Sequence, residues 1–411
     1  MLWYKVPPKV YFKRGALDLA LRILKGKKRA FIVTDTFLFN SGAVDKVTKI
    51  LSEIDIEYQI FFDIKPNPTL EVVKQAMGQL IPYEPDVIIA LGGGSPMDAA
   101  KIMWLLYEQP ETKFEDIAMN SLDIKNHASR IPNLGQKAVM VCIPTTSGTG
   151  SEVMPFAVIK DSKKGIKYAI ADYALTPDIA IIDPNFVDKM PKGLTAATGI
   201  DALVHSIEAY ESCISTNFTN SNALEATKLI FRYLERSFNN GADDPIAREK
   251  MHYASTIAGM SYSNSFFGLC HLLAHNLEAM YEVLHGVANA LLIRQIIKYN
   301  SSTPPKEMCD LQSKVTDSKT KYAQIADELK LGGINEDEKV KLLIDEIDRL
   351  MTSINLPKSL KEYGVKEKTY LDNLENLVDL AFNNQYPNNN PYYLNKETIK
   401  SLYLDAYYGN V

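Results

Sequence analysis

Residues 86–98 read Asp86-Val-Ile-Ile-Ala-Leu-Gly-Gly-Gly-Ser-Pro-Met-Asp98. The apolar run through Leu91 predicts a strand buried on both faces, and the segment after Asp98 continues at helical period. Between them, Gly92, Gly93 and Gly94 carry no Cβ, which lets a backbone come close to a ligand. The helix that follows offers unpaired N–H groups and a favourable dipole to a pyrophosphate. A tight turn without a ligand would look the same, and the spacing departs from the usual GxGxxG fingerprint. Alone, the stretch decides the fold and leaves its chemistry open.

The pattern repeats on either side. Residues 29–34, 59–62, 138–143 and 179–182 are further buried-strand candidates, and helix-period stretches run over 41–53 and 69–80. Such alternation predicts a mostly parallel sheet covered by helices, with ligands beyond the carboxyl ends of the strands. After about residue 188 strand-like runs nearly vanish. Helical periods cover 195–211, 217–236, 246–265, 267–280, 286–299, 320–330, 337–353 and 394–407. The expected organisation is an α/β dinucleotide-binding domain over residues 1–187 and an all-α domain over 188–411. The polar stretches Ser301–Lys319 and Gln385–Tyr393 are expected to be loops.

Composition bounds the function. The chain has 411 residues, 46% hydrophobic and 23% charged, which excludes disorder as its main state. A net charge of −5 argues against a nucleic-acid or anionic-membrane binder. No run approaches the ~18 apolar residues of a membrane helix, and the first ten residues do not resemble a signal peptide. The four cysteines are widely spaced, so a reducing, cytoplasmic setting is expected. Trp3 and Trp104 are expected to be packing residues, Cys270 a small buried neighbour, and His127 and His252 surface or capping residues.

A second loop strengthens the nucleotide reading. Residues 144–152, Pro-Thr-Thr-Ser-Gly-Thr-Gly-Ser-Glu, hold five hydroxyls and two glycines just past a strand. Asp35 ends the first long strand, where a carboxylate can accept hydrogen bonds from a ribose and repel a 2′-phosphate. That favours NAD over NADP, although a helix cap would also explain Asp35.

Histidines suggest a metal, although hydrogen-bonded core or surface histidines would also account for each of them singly. Five of the six lie between residues 205 and 285. Asp201 and His205 are spaced i, i+4, as are His271 and His275, so each pair shares a helix face. An unbroken helix from His271 to His285 would separate them by about 21 Å. If both bind one ion, the helix must break between about 279 and 284. An aspartate with three histidines suits a divalent transition metal, with ferrous iron and zinc both fitting.

These stretches resemble the iron-dependent (group III) alcohol dehydrogenases, and most closely the alcohol dehydrogenase half of bifunctional aldehyde–alcohol dehydrogenases. DVIIALGGGSPMDAAKIMW, TTSGTGSEVMPFAVI, GIDALVHSIEAY and CHLLAHNLEAMYEVLHGVANALL carry the resemblance. It implies metal ligands at Asp201, His205, His271 and His285, and a non-ligand active-site histidine at His275. It implies cofactor contacts at Gly93, Gly94, Ser95 and Asp98, and at Thr145, Thr146, Ser147 and Thr149. Val158, Lys167, Asp35 and Asn67 complete that expected set. The implied activity is reversible, NAD-dependent reduction of short-chain aldehydes to primary alcohols, with a homodimer or larger assembly. A polyol dehydrogenase, a dehydroquinate synthase-like enzyme and a filament module are the rival readings. Val283-Leu284 stand where relatives often carry a proline before the last histidine. No stretch resembles an aldehyde dehydrogenase half, so acyl-CoA reduction is not expected.

Overall fold

The computed structural model describes residues 4–112, 114, 131–162, 166–266, 268–302, 317–383, 390–392 and 394–410. The expectations for Trp3 and His127, and most of the two expected loops, fall outside them. The chain divides into two compact units, Met1–Met190 and Pro191–Val411.

In the first unit the strands are β1 (Lys9–Phe12), β2 (Arg29–Asp35), β3 (Glu57–Ile64), β4 (Val87–Gly92), β5 (Val139–Pro144), β6 (Phe156–Asp161), β7 (Ile166–Ala171) and β8 (Ile179–Ile182). Six form one sheet in the order β1-β8-β5-β4-β2-β3, with every pairing parallel. Side chains alternate between two cores. Phe31, Val33, Ile88, Ala90, Met140 and Cys142 face one. Ala30, Ile32, Val87, Ile89, Val141 and Ile143 face the other. Burial on both faces is why these strands read as continuous apolar runs. Each fully buried branched side chain contributes roughly 1.5–3 kcal/mol.

Helices α1 (Ala16–Arg22), α2 (Thr36–Asn40), α3 (Ala43–Glu53), α4 (Leu70–Tyr83) and α5 (Gly94–Glu108) complete the unit's main elements. α1 and α3 bury their apolar stripes in one core, α4 and α5 in the other. The chain therefore leaves β2 toward one face and β4 toward the opposite face. In sheets of this kind ligands bind at the carboxyl ends of adjacent strands whose connections diverge in this way. Trp104 packs in the core, and its indole N–H donates to the Ala138 carbonyl at 2.8 Å.

Three strands were not expected. β1 is a four-residue edge strand, half-exposed and preceded by two prolines. β6 and β7 form an antiparallel hairpin. Its lysines, Lys160 and Lys167, interrupt the apolar run that marks a buried strand.

The second unit is helical throughout its described residues. Its helices are α6 (Lys192–Glu211), α7 (Asn217–Asn240), α8 (Pro245–Ser265), α9 (Leu269–Tyr281), α10 (His285–Asn300), α11 (Ser318–Glu328), α12 (Glu336–Ser353), α13 (Leu360–Tyr363), α14 (Glu367–Asn383) and α15 (Lys396–Tyr408). Local signals start several of them. Thr216 and Thr219 form a capping box on α7, and Asp244 caps α8 with Pro245 in the first turn. α6 is buried almost all round, as a central helix must be. Its approach to α10 depends on Gly286, where an added Cβ would lie 1.8 Å from the Ala197 carbonyl oxygen. α14 was not expected, although Tyr370, Leu374, Leu377, Val378 and Ala381 mark a helical stripe. His252 corrects another expectation. It is neither surface nor cap but 1% exposed, because α8 packs against both α6 and α7. Among the described residues no helix is long and apolar enough to cross a membrane.

Candidate metal centre and nucleotide loops

The helix carrying His271 ends where the metal geometry required. α9 stops at Tyr281, Glu282 adopts a left-handed backbone with φ 54°, and α10 begins at His285. Asp201 on α6, His271 on α9 and His285 on α10 then converge, with one ligand atom from each lying within 4.8 Å of the others. His271 Nε2 is 3.6 Å and His285 Nε2 3.5 Å from Asp201 Oδ1. Burial raises the Asp201 carboxyl, but His205, His285 and His271 outweigh it and hold the group below the usual carboxylate range. One carboxylate oxygen and two imidazole nitrogens form a donor set that fits a divalent transition metal.

His205 is not drawn into that three-atom set. Its ring stacks on His271 at 4.5 Å between centroids, tilted by 12°, one helical turn beyond Asp201. His275 stacks on His285 at 4.9 Å. Burial, assisted by the two neighbouring histidines and opposed by Glu278, lowers His275 to about 4.

Three residues of this centre were missed from the sequence. Glu208 Oε2 lies 2.5 Å from His271 Nδ1, and Glu208 Oε1 accepts the Cys270 N–H at 2.5 Å. Although burial lowers its basicity, Glu208 and Asp201 raise His271 to about 9. Gly268 makes room, since a Cβ there would sit 2.4 Å from the Glu208 carboxyl. Glu278 Oε2 stands 3.4 Å from His285 Nδ1. His271 thus hydrogen-bonds a carboxylate through its outer ring nitrogen, an arrangement that orients metal ligands, whereas Glu278 only approaches His285 Nδ1 without a hydrogen bond. Asn289 is the third. Its Nδ2 donates to Asp201 Oδ1 at 2.8 Å and lies 3.2 and 3.3 Å from His271 Nε2 and His285 Nε2. A signal for all three was present. Asp201-His205-Glu208, His271-His275-Glu278 and His285-Asn289 repeat at i, i+4 and i+7, which places each group on one helix face. Cys270 is buried, and its thiol donates to the Asn289 carbonyl at 3.3 Å.

In the first unit Asp35, Gly93–Ser95 and Thr145–Thr149 lie at or just past the ends of β2, β4 and β5, Asn67 lies beyond β3, and Val158 and Lys167 are on the β6–β7 hairpin. Asp35 Oδ1 caps α2 through the Leu38 N–H at 2.8 Å, which leaves Oδ2 to face other groups. Gly93 is the N-cap of α5, whose first turn holds Gly94 and Ser95 and has no side-chain cap. The second loop lies directly against the first. A Cβ on Gly93 would sit 3.1 Å from Thr146 Cγ2, and one on Gly94 3.2 Å from Thr149 Cγ2. Thr145 donates its N–H to the Gly92 carbonyl at 2.9 Å, and Ser147 is buried beside it. Thr146 Oγ1 is buried with no hydrogen-bond partner among the described residues. That orphan, next to an uncapped helix N-terminus, fits a phosphate-bearing ligand. Lys167 and Asn67, a hundred residues apart, meet at 2.8 Å. Asp98 lies on α5 beside the second loop. Its two oxygens accept from Ser151 Oγ at 2.9 Å and the Val158 N–H at 3.0 Å, so it braces the loops internally.

Comparison with known proteins agrees with both halves. The model for iron-containing alcohol dehydrogenases matches residues 7–184, and that for the C-terminal part of the Fe-containing family matches 195–407. The bifunctional aldehyde-alcohol dehydrogenase of Escherichia coli K12 is 46% identical over the whole chain. The chain spans only 46% of that relative's length. An NADPH-dependent butanol dehydrogenase from Clostridium saccharobutylicum is 38% identical, covering 100% of this chain and 99% of its own. The iron-containing alcohol dehydrogenase of Thermococcus thioreducens superposes with a TM-score of 0.87 at 30% identity, each chain fully covered. With a buried carboxylate–histidine centre on one unit and paired phosphate-type loops on the other, the chain belongs to the iron-containing alcohol dehydrogenase family.

Proposed function

We propose that this chain is an NAD-dependent alcohol dehydrogenase that reduces short-chain aldehydes, acetaldehyde among them, to primary alcohols and runs in reverse. The observation that carries this reading is the convergence of Asp201, His271 and His285 across a break in the helical chain. Asp201, His271 and His285 would hold a ferrous ion, with zinc also fitting the donors, and His205 would join as a fourth ligand. When bound, the cation supplies Lewis acidity to a carbonyl oxygen, and the dinucleotide supplies hydride.

The chain's own residues do the rest. Glu208 would turn the Nε2 atom of His271 inward, and Glu278 stands beside the outer nitrogen of His285. His275, depressed to about 4, is neutral near pH 7. It can therefore take a proton at one ring nitrogen and release one from the other, carrying the single proton that aldehyde reduction consumes. The glycine turn and Thr145–Thr149 would cradle the pyrophosphate. Lys167 with Asn67, and the hairpin at Val158, would flank the same cofactor. Asp35 would accept from the adenosine ribose and repel a 2′-phosphate, which favours NAD although one relative is named for NADPH.

The test is NADH and NADPH oxidation with acetaldehyde and butyraldehyde, using protein reconstituted with ferrous iron or with zinc. His205→Ala should abolish turnover, and near-normal turnover in that variant rejects its place as a ligand. Glycerol oxidation in preference to aldehyde reduction would favour the polyol reading. We propose a cytoplasmic homodimer, checked by light scattering.

A further inference from the structure

Lys101 is fully buried on α5, two turns beyond the glycine turn. A buried lysine is costly unless its ammonium is fully partnered. Here its three N–H donors have four acceptors within reach: the Ser151 carbonyl at 2.6 Å, Ser151 Oγ at 2.9 Å, the Met154 carbonyl at 2.9 Å and the Phe156 carbonyl at 2.8 Å. These acceptors lie on the stretch that runs from the second nucleotide loop into β6. Asp98, one turn earlier on the same helix face, takes Ser151 Oγ and the Val158 N–H. Further toward the helix start, Gly94 abuts Thr149, Gly93 abuts Thr146, and the Gly92 carbonyl holds Thr145. Successive levels of α5 are thus fastened to successive levels of residues 145–158.

We propose that Lys101 is a positioning residue: with Asp98 and Ser151 it locks the glycine turn and the threonine-rich loop into one rigid dinucleotide cradle. This rests on the nucleotide reading of the two loops. Three buried carbonyls point at one ammonium, and carbonyl dipoles repel one another without a cation between them. Remove the charge and the loop must move to rehydrate them. The ammonium thereby fixes where Thr146 Oγ1 and the Thr145–Thr149 backbone stand relative to the start of α5. Preorganisation of this kind acts on ligand affinity by removing the ordering cost from the binding step.

The experiment compares wild type, Lys101→Met and Ser151→Ala by NADH fluorescence titration and by hydrogen exchange. Lys101→Met should weaken NADH binding at least about tenfold, with faster exchange confined to residues 145–158. Metal content and exchange in residues 191–411 should stay unchanged. Ser151→Ala removes one acceptor and leaves the carbonyls bonded, so a smaller effect in the same direction is expected. It keeps the test decisive if Lys101→Met fails to fold. Folded variants that bind NADH within twofold of wild type, with unchanged exchange at 145–158, overturn the proposal. A wild-type protein that binds no dinucleotide overturns the nucleotide reading instead, while the exchange data still decide whether the clamp exists.

Discussion

Glu208→Gln alters one atom of a buried carboxylate and reverses what His271 can do. Glu208 accepts two N–H groups, from His271 Nδ1 and from Cys270, each at 2.5 Å. Glutamine is the same shape but offers one oxygen and one NH2. The Cys270 N–H cannot change sign, so it takes the amide oxygen. In the neutral ring, the form that binds a cation, His271 Nδ1 then faces a donor and must become the acceptor, which moves the ring proton to Nε2. That nitrogen is the one 3.6 Å from Asp201 Oδ1, so the lone pair aimed at the ligand set is lost. Loss of such an outer partner lowers metal affinity about 10- to 100-fold, or about 1.4–2.7 kcal/mol. The assay is a competition titration of chelator-stripped protein with zinc or cobalt against a chromophoric chelator, alongside circular dichroism to show the helices intact. Affinity within twofold of wild type, in a folded variant, would refute the tautomer argument. Recovery of tight binding in Glu208→Asp, where both acceptors return, would support it.

Asp35→Ser keeps an oxygen to cap α2 and removes the charge, so NADP use should rise relative to NAD on the order of tenfold, about 1.4 kcal/mol. An unchanged ratio of kcat/KM values counts against the ribose assignment. Gly286→Ala places a methyl 1.8 Å from the Ala197 carbonyl oxygen, a backbone atom that cannot swing aside. A loss of about 1–3 kcal/mol in urea unfolding, with weaker metal binding through displaced His285, is expected. The pH dependence follows from His275, lowered from 6.5 to about 4 when folded. Its contribution is present above pH 6.5 and lost as pH falls toward 4, by at most about 3 kcal/mol. Metal-free wild type should therefore lose more stability than His275→Gln between about pH 7.5 and about pH 4.5, and equal losses in urea midpoint would count against a His275 held neutral by the fold.

Much of the fold was legible because its signals are local. A strand buried on both faces must be continuously apolar, and 87–92 and 139–144 are. The helix break was legible for a different reason, since two ligands of one ion cannot stand about 21 Å apart. β6 and β7 were hidden because a half-exposed hairpin tolerates lysines at positions that a buried strand would not. Glu208, Glu278 and Asn289 were not singled out, because their meaning lies in sharing helix faces with Asp201, His271 and His285.

By itself, the sequence determined the two-part architecture, the glycine turn, the threonine-rich loop and the aspartate–histidine inventory. Periodicity and residue chemistry are properties of short stretches and need no partner to be read. Tertiary structure decided which groups meet and what each then does. Asp98, one of the expected cofactor residues, accepts from Ser151 Oγ and the Val158 N–H. Lys101, an unremarked residue of a helix, becomes the cation that three carbonyls require. His205 stacks on His271, one of the three groups whose ligand atoms converge. Each of these outcomes depends on distances across 50 residues or more, and on the dielectric of a buried site. Sequence spacing does not carry either quantity.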